Sequence, residues 1–273
     1  MTRPNFGLNY DNYLILVMNG RIVLSIPLDL NNRQELTANL AAKYGADYVI
    51  IGRIFRSTIT DESCEVDLIS RSEPINEPSS TGGERHFEQI ISSEFKLAGA
   101  DSFDDGTLQK LDRCRQIVYL ESSAVGYQGC LQIARLAKII LEVGGIAVRL
   151  EAAALVHSRD RWCDRYNSDD VFDIYSLFVA LVEGEEYYYS CGMQQFGKAD
   201  VALSLTEDIN LAIYVMNVFN YYRLTESPIL QDGHTFRPDI ECPQYRMNWI
   251  ADREHEAEEH PYNPHGRWLL SID

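Results

Sequence analysis

The chain has 273 residues, 41 of them acidic and 24 basic, for a formal net charge of −17. That length suits one large domain or two small ones, and it buries enough surface to stand without disulfide or metal staples. A hydrophobic share of 45% excludes a disordered chain, and the charge opposes binding to DNA, RNA or anionic membranes, which require a basic surface. It suits cationic partners instead, with fast and salt-sensitive association. The 16 tyrosines need hydroxyl partners where buried and make good interface anchors where exposed. The six cysteines, Cys64, Cys114, Cys130, Cys163, Cys191 and Cys242, never form C-x-x-C. The start, MTRPNFGLNYDNY, lacks the regions of a signal peptide, and no apolar run approaches a membrane span. A cytoplasmic chain with free thiols is expected.

Residues 10–18 and 21–28 read as two apolar strands around Asn19-Gly20, a pair that favours a hairpin turn. Asn32 followed by Glu35 resembles a capping box. Leu36, Leu40 and Tyr44 continue at helical spacing to a stop at Gly45. Residues 47–52 return as a strand, and another is expected near 64–69. Residues 72–86, with two prolines, two glycines and three serines, form the clearest loop. This loop suggests an N-terminal β-rich lobe over 1–100 and a C-terminal α/β lobe over 101–273, unless it is an excursion within one continuous domain.

Residues 116–120 predict a strand, 127–143 a helix stopped by Gly144-Gly145, and 146–150 a second strand, together a βαβ unit. Residues 174–182 and 187–191 predict an antiparallel pair around Glu183-Gly184-Glu185. Thr206 is placed to cap a helix whose first turn holds Glu207 and Asp208. Its body, NLAIYVMNVFNYYRL, is apolar on more than one face, which predicts burial between layers. The helix end, glycine and strand at 40–51 recur at 136–150, an echo that raises the option of two related lobes. The expected fold class is α+β: mixed, largely antiparallel sheets with two principal helices.

Three constellations carry candidate chemistry. The stretch 252–260 gathers Asp252, Glu254, Glu256, Glu258 and Glu259 with His255 and His260, and His265 follows. Imidazole and carboxylate are metal ligands, but the spacing is H-E-x-x-x-H where a zinc protease needs H-E-x-x-H. A solvated acidic segment fits best, and as a docking surface it would steer a basic partner. His157 precedes Cys163 by six residues among Arg159, Arg161 and Arg165, which would favour a thiolate; nothing local supplies an oxyanion hole. Cys191 stands at a strand end before a glycine, where a small buried apolar role is the commoner one. Phosphate-loop, dinucleotide, nucleophile-elbow and EF-hand motifs are missing from the sequence.

The run YYYSCGMQQFGKADVALS carries Cys191, Gly192, Met193, Phe196 and Gly197. The apolar helix at 206–224 and Asp232-Gly233-His234-Thr235 follow it. Together with the unit at 116–151 and the stretch from His157 to Trp162, these resemble a family of uncharacterised bacterial proteins over residues 115–237. Cys191 departs from the hydroxyl residue usual there, and residues 1–100 and 238–273 fall outside the likeness. Such proteins occur beside secreted-toxin genes, so the resemblance implies an immunity protein. The resulting expectation is a non-enzymatic, cytoplasmic binding protein for a basic toxin, with partner-binding residues Asp252, Glu254, Glu256, Glu258 and Glu259 and with no cofactor or metal. The alternatives are a hydrolase using His157 with Cys163 or Cys191, and a scaffolding subunit.

Overall fold

A computed structural model of the chain describes residues 21–70, 92–93, 95–96, 98–99, 103–252 and 262–272. In chain order the first elements are β1 (Ile22–Leu28), α1 (Arg33–Tyr44), β2 (Tyr48–Ile51), β3 (Ile54–Ser57) and β4 (Ser63–Ser70). Next come α2 (Asp105–Arg113), β5 (Gln116–Ser122), α3 (Tyr127–Glu142), β6 (Ala147–Leu150) and β7 (Leu155–Ser158). Then follow α4 (Arg159–Asn167), α5 (Val171–Phe178), β8 (Ala180–Glu183), β9 (Tyr187–Cys191) and β10 (Asp200–Ser204). The last are α6 (Ile209–Thr225), β11 (Thr235–Phe236), β12 (Tyr245–Ile250) and β13 (Arg267–Ile272). The fold is α+β, as expected.

Two sheets organise these elements. The first runs β2-β3-β4-β5-β1-β6-β7, and every neighbouring pair is antiparallel. The second runs β11-β12-β13-β10-β9-β8 and is mixed, because β10 and β13 are parallel. A boundary at residue 100 would cut the first sheet, since β5, β6 and β7 complete what β1 to β4 begin. Both helix–glycine–strand junctions lie in this one sheet, one entering its edge at β2 and the other its interior at β6. The echo is therefore a repeated local solution and does not mark two matching lobes.

Local rules place several elements correctly. The Asn32 side chain accepts from the Glu35 N–H (3.0 Å), and Glu35 reaches back to the Asn31 N–H (2.9 Å), a capping box displaced by one residue. Gly45 ends α1 with a positive φ of 60°. Strand β1 is buried along its whole length because β5 and β6 flank it. No free edge of β1 remains over Leu24–Leu28 for the expected hairpin partner; residues 10–20 lie outside the described residues, as does the loop at 72–86. The unit β5–α3–β6 forms with its two strands parallel but not adjacent, because β1 inserts between them and runs antiparallel to both.

Other expectations are corrected. Residues 174–178 are helical: Asp170 caps α5 by accepting the Phe172 N–H (2.7 Å), and Ile174, Tyr175, Leu177 and Phe178 are buried at helical spacing. Only from Ala180 does the chain become a strand, paired antiparallel with β9. The stretch after His157 is α4, with Ser158 accepting the Arg161 N–H. Asp208, not Thr206, caps α6 and accepts from the Asn210 and Leu211 N–H groups (2.9 and 3.1 Å). The Thr206 hydroxyl is engaged by Ser204 (2.9 Å).

The main core packs β1, β4, β5 and β6 against α1, α3, α4 and α5. Three ring pairs run through it, a tilted one from His157 to Trp162 and edge-to-face ones from Trp162 to Phe178 and from Phe178 to Phe196, at 5.6, 5.9 and 5.9 Å. A second core lies between α6 and the second sheet. Among the described residues no helix is long and apolar enough to cross a membrane.

The turn from β9 to β10 joins the two cores. Gly192 has a φ of 126°, and a Cβ there would lie 2.0 Å from the Phe178 carbonyl oxygen. Gly197 also has a positive φ, 67°, but opens onto empty space. Gly192→Ala should therefore cost about 4 kcal/mol, backbone strain and overpacking combined, and Gly197→Ala only about 1–2 kcal/mol. Urea unfolding of the two variants checks the difference.

Candidate functional site

The second sheet is centred on a buried carboxylate. Asp200, 2% exposed, accepts from Ser190 Oγ (2.9 Å) and the Met193 N–H (3.2 Å) on one oxygen and from Asn263 Nδ2 (2.6 Å) on the other. Burial pushes its pKa up to about 6, against these donors and the Arg223 charge. Arg223, the C-terminal anchor of α6, donates to the Ala199 carbonyl (2.7 Å) and to Asn220 Oδ1, and its guanidinium lies 4.7 Å from the Phe219 ring centre. Burial lowers the Arg223 pKa to about 10, so it stays charged at neutral pH. Asn220 donates to the Tyr175 hydroxyl (3.1 Å), which donates to Asn217 (3.0 Å) and ties α6 to α5.

The residues singled out from sequence fall as follows. Asp252 is not a surface charge: its side chain is buried, lies 3.6 Å from Arg267 and accepts the Asn263 N–H (3.1 Å). It belongs to the same interior network. Glu254, Glu256, Glu258 and Glu259 lie outside the described residues, as do His255 and His260. Among the described residues no group of three or more His, Cys, Asp or Glu could hold a metal ion.

His157 is fully buried in β7, with Nε2 placed 3.0 Å from the Leu177 carbonyl oxygen. Facing a carbonyl, Nε2 carries the hydrogen, which leaves Nδ1 as an acceptor, and Nδ1 is buried without a partner. Burial holds the pKa down to about 4 despite the carbonyl. Burial raises the Cys163 thiol, and the more deeply buried Cys191 thiol, above the ordinary value. Neither cysteine carries the lowered pKa of an activated thiolate, and among the described residues no hydrogen bond joins either to His157.

The feature that sequence reasoning misjudged is α6. Only one arc of it is buried, through Ala212, Val215, Met216, Phe219, Asn220 and Arg223. The opposite arc faces solvent with Ile213, Tyr214, Tyr221 and Tyr222 between 36% and 43% exposed. Arg223 is the only charged residue in Ile209–Thr225, and it points inward. A solvent-facing helix surface is normally rich in charge; this one is uncharged and rich in tyrosine, the composition of an interface core. The Tyr214 hydroxyl donates to Asp239 (2.8 Å), and Ile240 beyond it is 88% exposed. Beside Tyr222 opens a cleft of about 770 Å³ between α6, residues 228–230 and β11. The apolar signal on two faces of α6 was legible; that the second face meets solvent was not.

Comparison with protein-family models, with curated proteins and with solved structures finds no match to the chain.

Two stability predictions follow from the interior groups. Asp200→Ala strips the acceptor from three donors and leaves the Arg223 charge without its counter-charge, so denaturant unfolding should show a loss of about 3–5 kcal/mol. For His157 the folded pKa lies below the ordinary 6.5. Between pH 6.5 and 4 the unfolded chain therefore takes up a proton that the folded chain does not, and stability falls as pH falls. Relative to His157→Gln, the wild type should lose about 3 kcal/mol across that window and nothing further below it. Asp200 acts with the opposite sign over the same range, so the difference between the two proteins isolates the histidine.

Proposed function

We propose that the chain is a non-enzymatic binding protein whose partner, a protein with a basic surface, docks on the tyrosine face of α6. The observation that carries this is the uncharged solvent arc of a 17-residue helix in a protein of net charge −17. Charge repels a second acidic copy and attracts a cationic protein. Tyrosines bury large rigid area at little entropic cost and dominate binding energy where they are central. Asp208 and Glu226, both exposed, border the helix in sequence and would supply the polar rim. The buried state of His157 and Cys191 favours binding over thiol hydrolysis.

In its narrowest form this is a cytoplasmic immunity protein that neutralises a secreted bacterial toxin by covering it. The likeness of residues 115–237 to toxin-associated bacterial proteins supports that form, as does the acidic charge. The motif positions themselves serve the fold: Gly192 lets the chain pass Phe178, and Asp232 accepts the Trp249 N–H (2.6 Å).

A photo-crosslinking residue at Tyr221, with one at exposed Lys43 on α1 as control, tests the reading in cells that express the chain. A single basic protein should be captured from position 221 and not from 43. With the purified pair, Tyr214→Ala with Tyr221→Ala should weaken binding by about 2 kcal/mol or more, roughly thirtyfold, and salt should slow association. Loss of the captured protein's toxicity in the stoichiometric complex supports the immunity form. Equal capture at both positions, or capture of the chain's own copies alone, overturns the reading.

A further inference from the structure

We infer that the cleft beside α6 takes an apolar side chain carried on an extended basic segment of the partner. This rests on the docking reading above and adds what the partner inserts and where. The apolar part of the wall comes from Val218 and Tyr222 of α6, Leu230 of the connecting segment, Phe236 of β11 and Met247 of β12, and His234, Thr235 and Arg237 supply its polar part. At about 770 Å³ the cleft falls in the usual range of ligand sites, roughly 300–1,000 Å³. Phe236 is braced by Phe219 at 4.9 Å and stacked with Tyr222 at 6.1 Å, so its ring forms a rigid wall and does not swing to fill the space.

The occupant's backbone and charge follow from two further observations. Among the described residues strand β11 ends the sheet and pairs with β12 alone, and such an edge can accept an added extended segment. The residues that adjoin the wall in sequence are acidic: Glu226 before Pro228, Asp232 before Gly233, and Asp239 and Glu241 after Pro238. Asp239 accepts from the Tyr214 hydroxyl and two backbone N–H groups, which hold its pKa below the ordinary carboxylate value and keep it charged. The wall itself contributes Arg237, whose guanidinium reaches Gln244 at 3.5 Å. Acidic residues next to an apolar wall in sequence complement alternating cationic and aliphatic side chains. An acidic segment would be repelled.

Fluorescence anisotropy with three labelled synthetic peptides of equal length tests this: alternating lysine and leucine, alternating lysine and serine, and alternating glutamate and leucine. The lysine–leucine peptide should bind at least about tenfold tighter than the lysine–serine peptide, and the glutamate–leucine peptide should not bind. Val218→Trp, which fills the cleft, should abolish the leucine preference and leave the weak charge-driven binding. Should that variant melt early, Ile229→Ser, at an 86% exposed lining residue, should reduce the same preference without touching the core. Equal binding of the two lysine peptides overturns the inference, as does an intact preference in the variants or tighter binding of the glutamate peptide. Sedimentation showing a dimer that Val218→Trp dissociates would assign the cleft to a second copy and overturn it too. Failure of the peptides while position 221 still captures a basic protein would sink this inference alone; failure of both would sink the docking reading with it.

Discussion

The second sheet depends on the interior charge of Asp200. A carboxylate removed from water costs several kcal/mol unless its lone pairs are satisfied and a counter-charge is near. Asp200 meets both conditions by drawing together parts of the chain that are distant in sequence: Ser190 at the end of β9, the Met193 N–H in the turn, Asn263 ahead of β13, and Arg223 near the end of α6. Apolar packing is non-directional and would tolerate several rotations of α6. A guanidinium that must reach the Ala199 carbonyl while Asn220 bonds Tyr175 allows one.

That rotation determines the surface. With about 100° per residue, turning Asn220 and Arg223 inward places Tyr214 and Tyr221, seven residues apart, together on the outside. The helix has spent its only charge on the interior, so no charged side chain remains on its solvent arc. The remainder of the surface carries a large excess of acid, and the apolar arc with its neighbouring cleft interrupts it. The same interior network that orders the second sheet thus leaves a face suited to a partner.

Burial also explains what the thiols and the histidine do. His157 lies inside a ladder of aromatic rings, with its one N–H on the Leu177 carbonyl. The nearby arginines suggested activation from the sequence, but they stand on α4, whose inward contribution is Trp162, fully buried and bonded to the Ala134 carbonyl (3.1 Å). At Cys163 desolvation, helped by the Glu142 charge, outweighs the Lys138 and Arg159 charges, and the thiol pKa rises.

The sequence by itself determined the α+β class, α1 with its Asn32 cap and Gly45 stop, α3 with its glycine pair, and the strands from 47 to 52, 64 to 69, 116 to 120 and 187 to 191. These follow from neighbours within a few residues: a cap, a period, a glycine that alone tolerates positive φ. Only the tertiary structure decided that β1 lies between β5 and β6, that Asp252 faces Arg267 in the interior, and that the second apolar face of α6 meets solvent. Each of these depends on pairing across long sequence separations or on where one buried charge finds its donors. A local pattern records that a face is apolar, and the rest of the chain decides whether anything covers it.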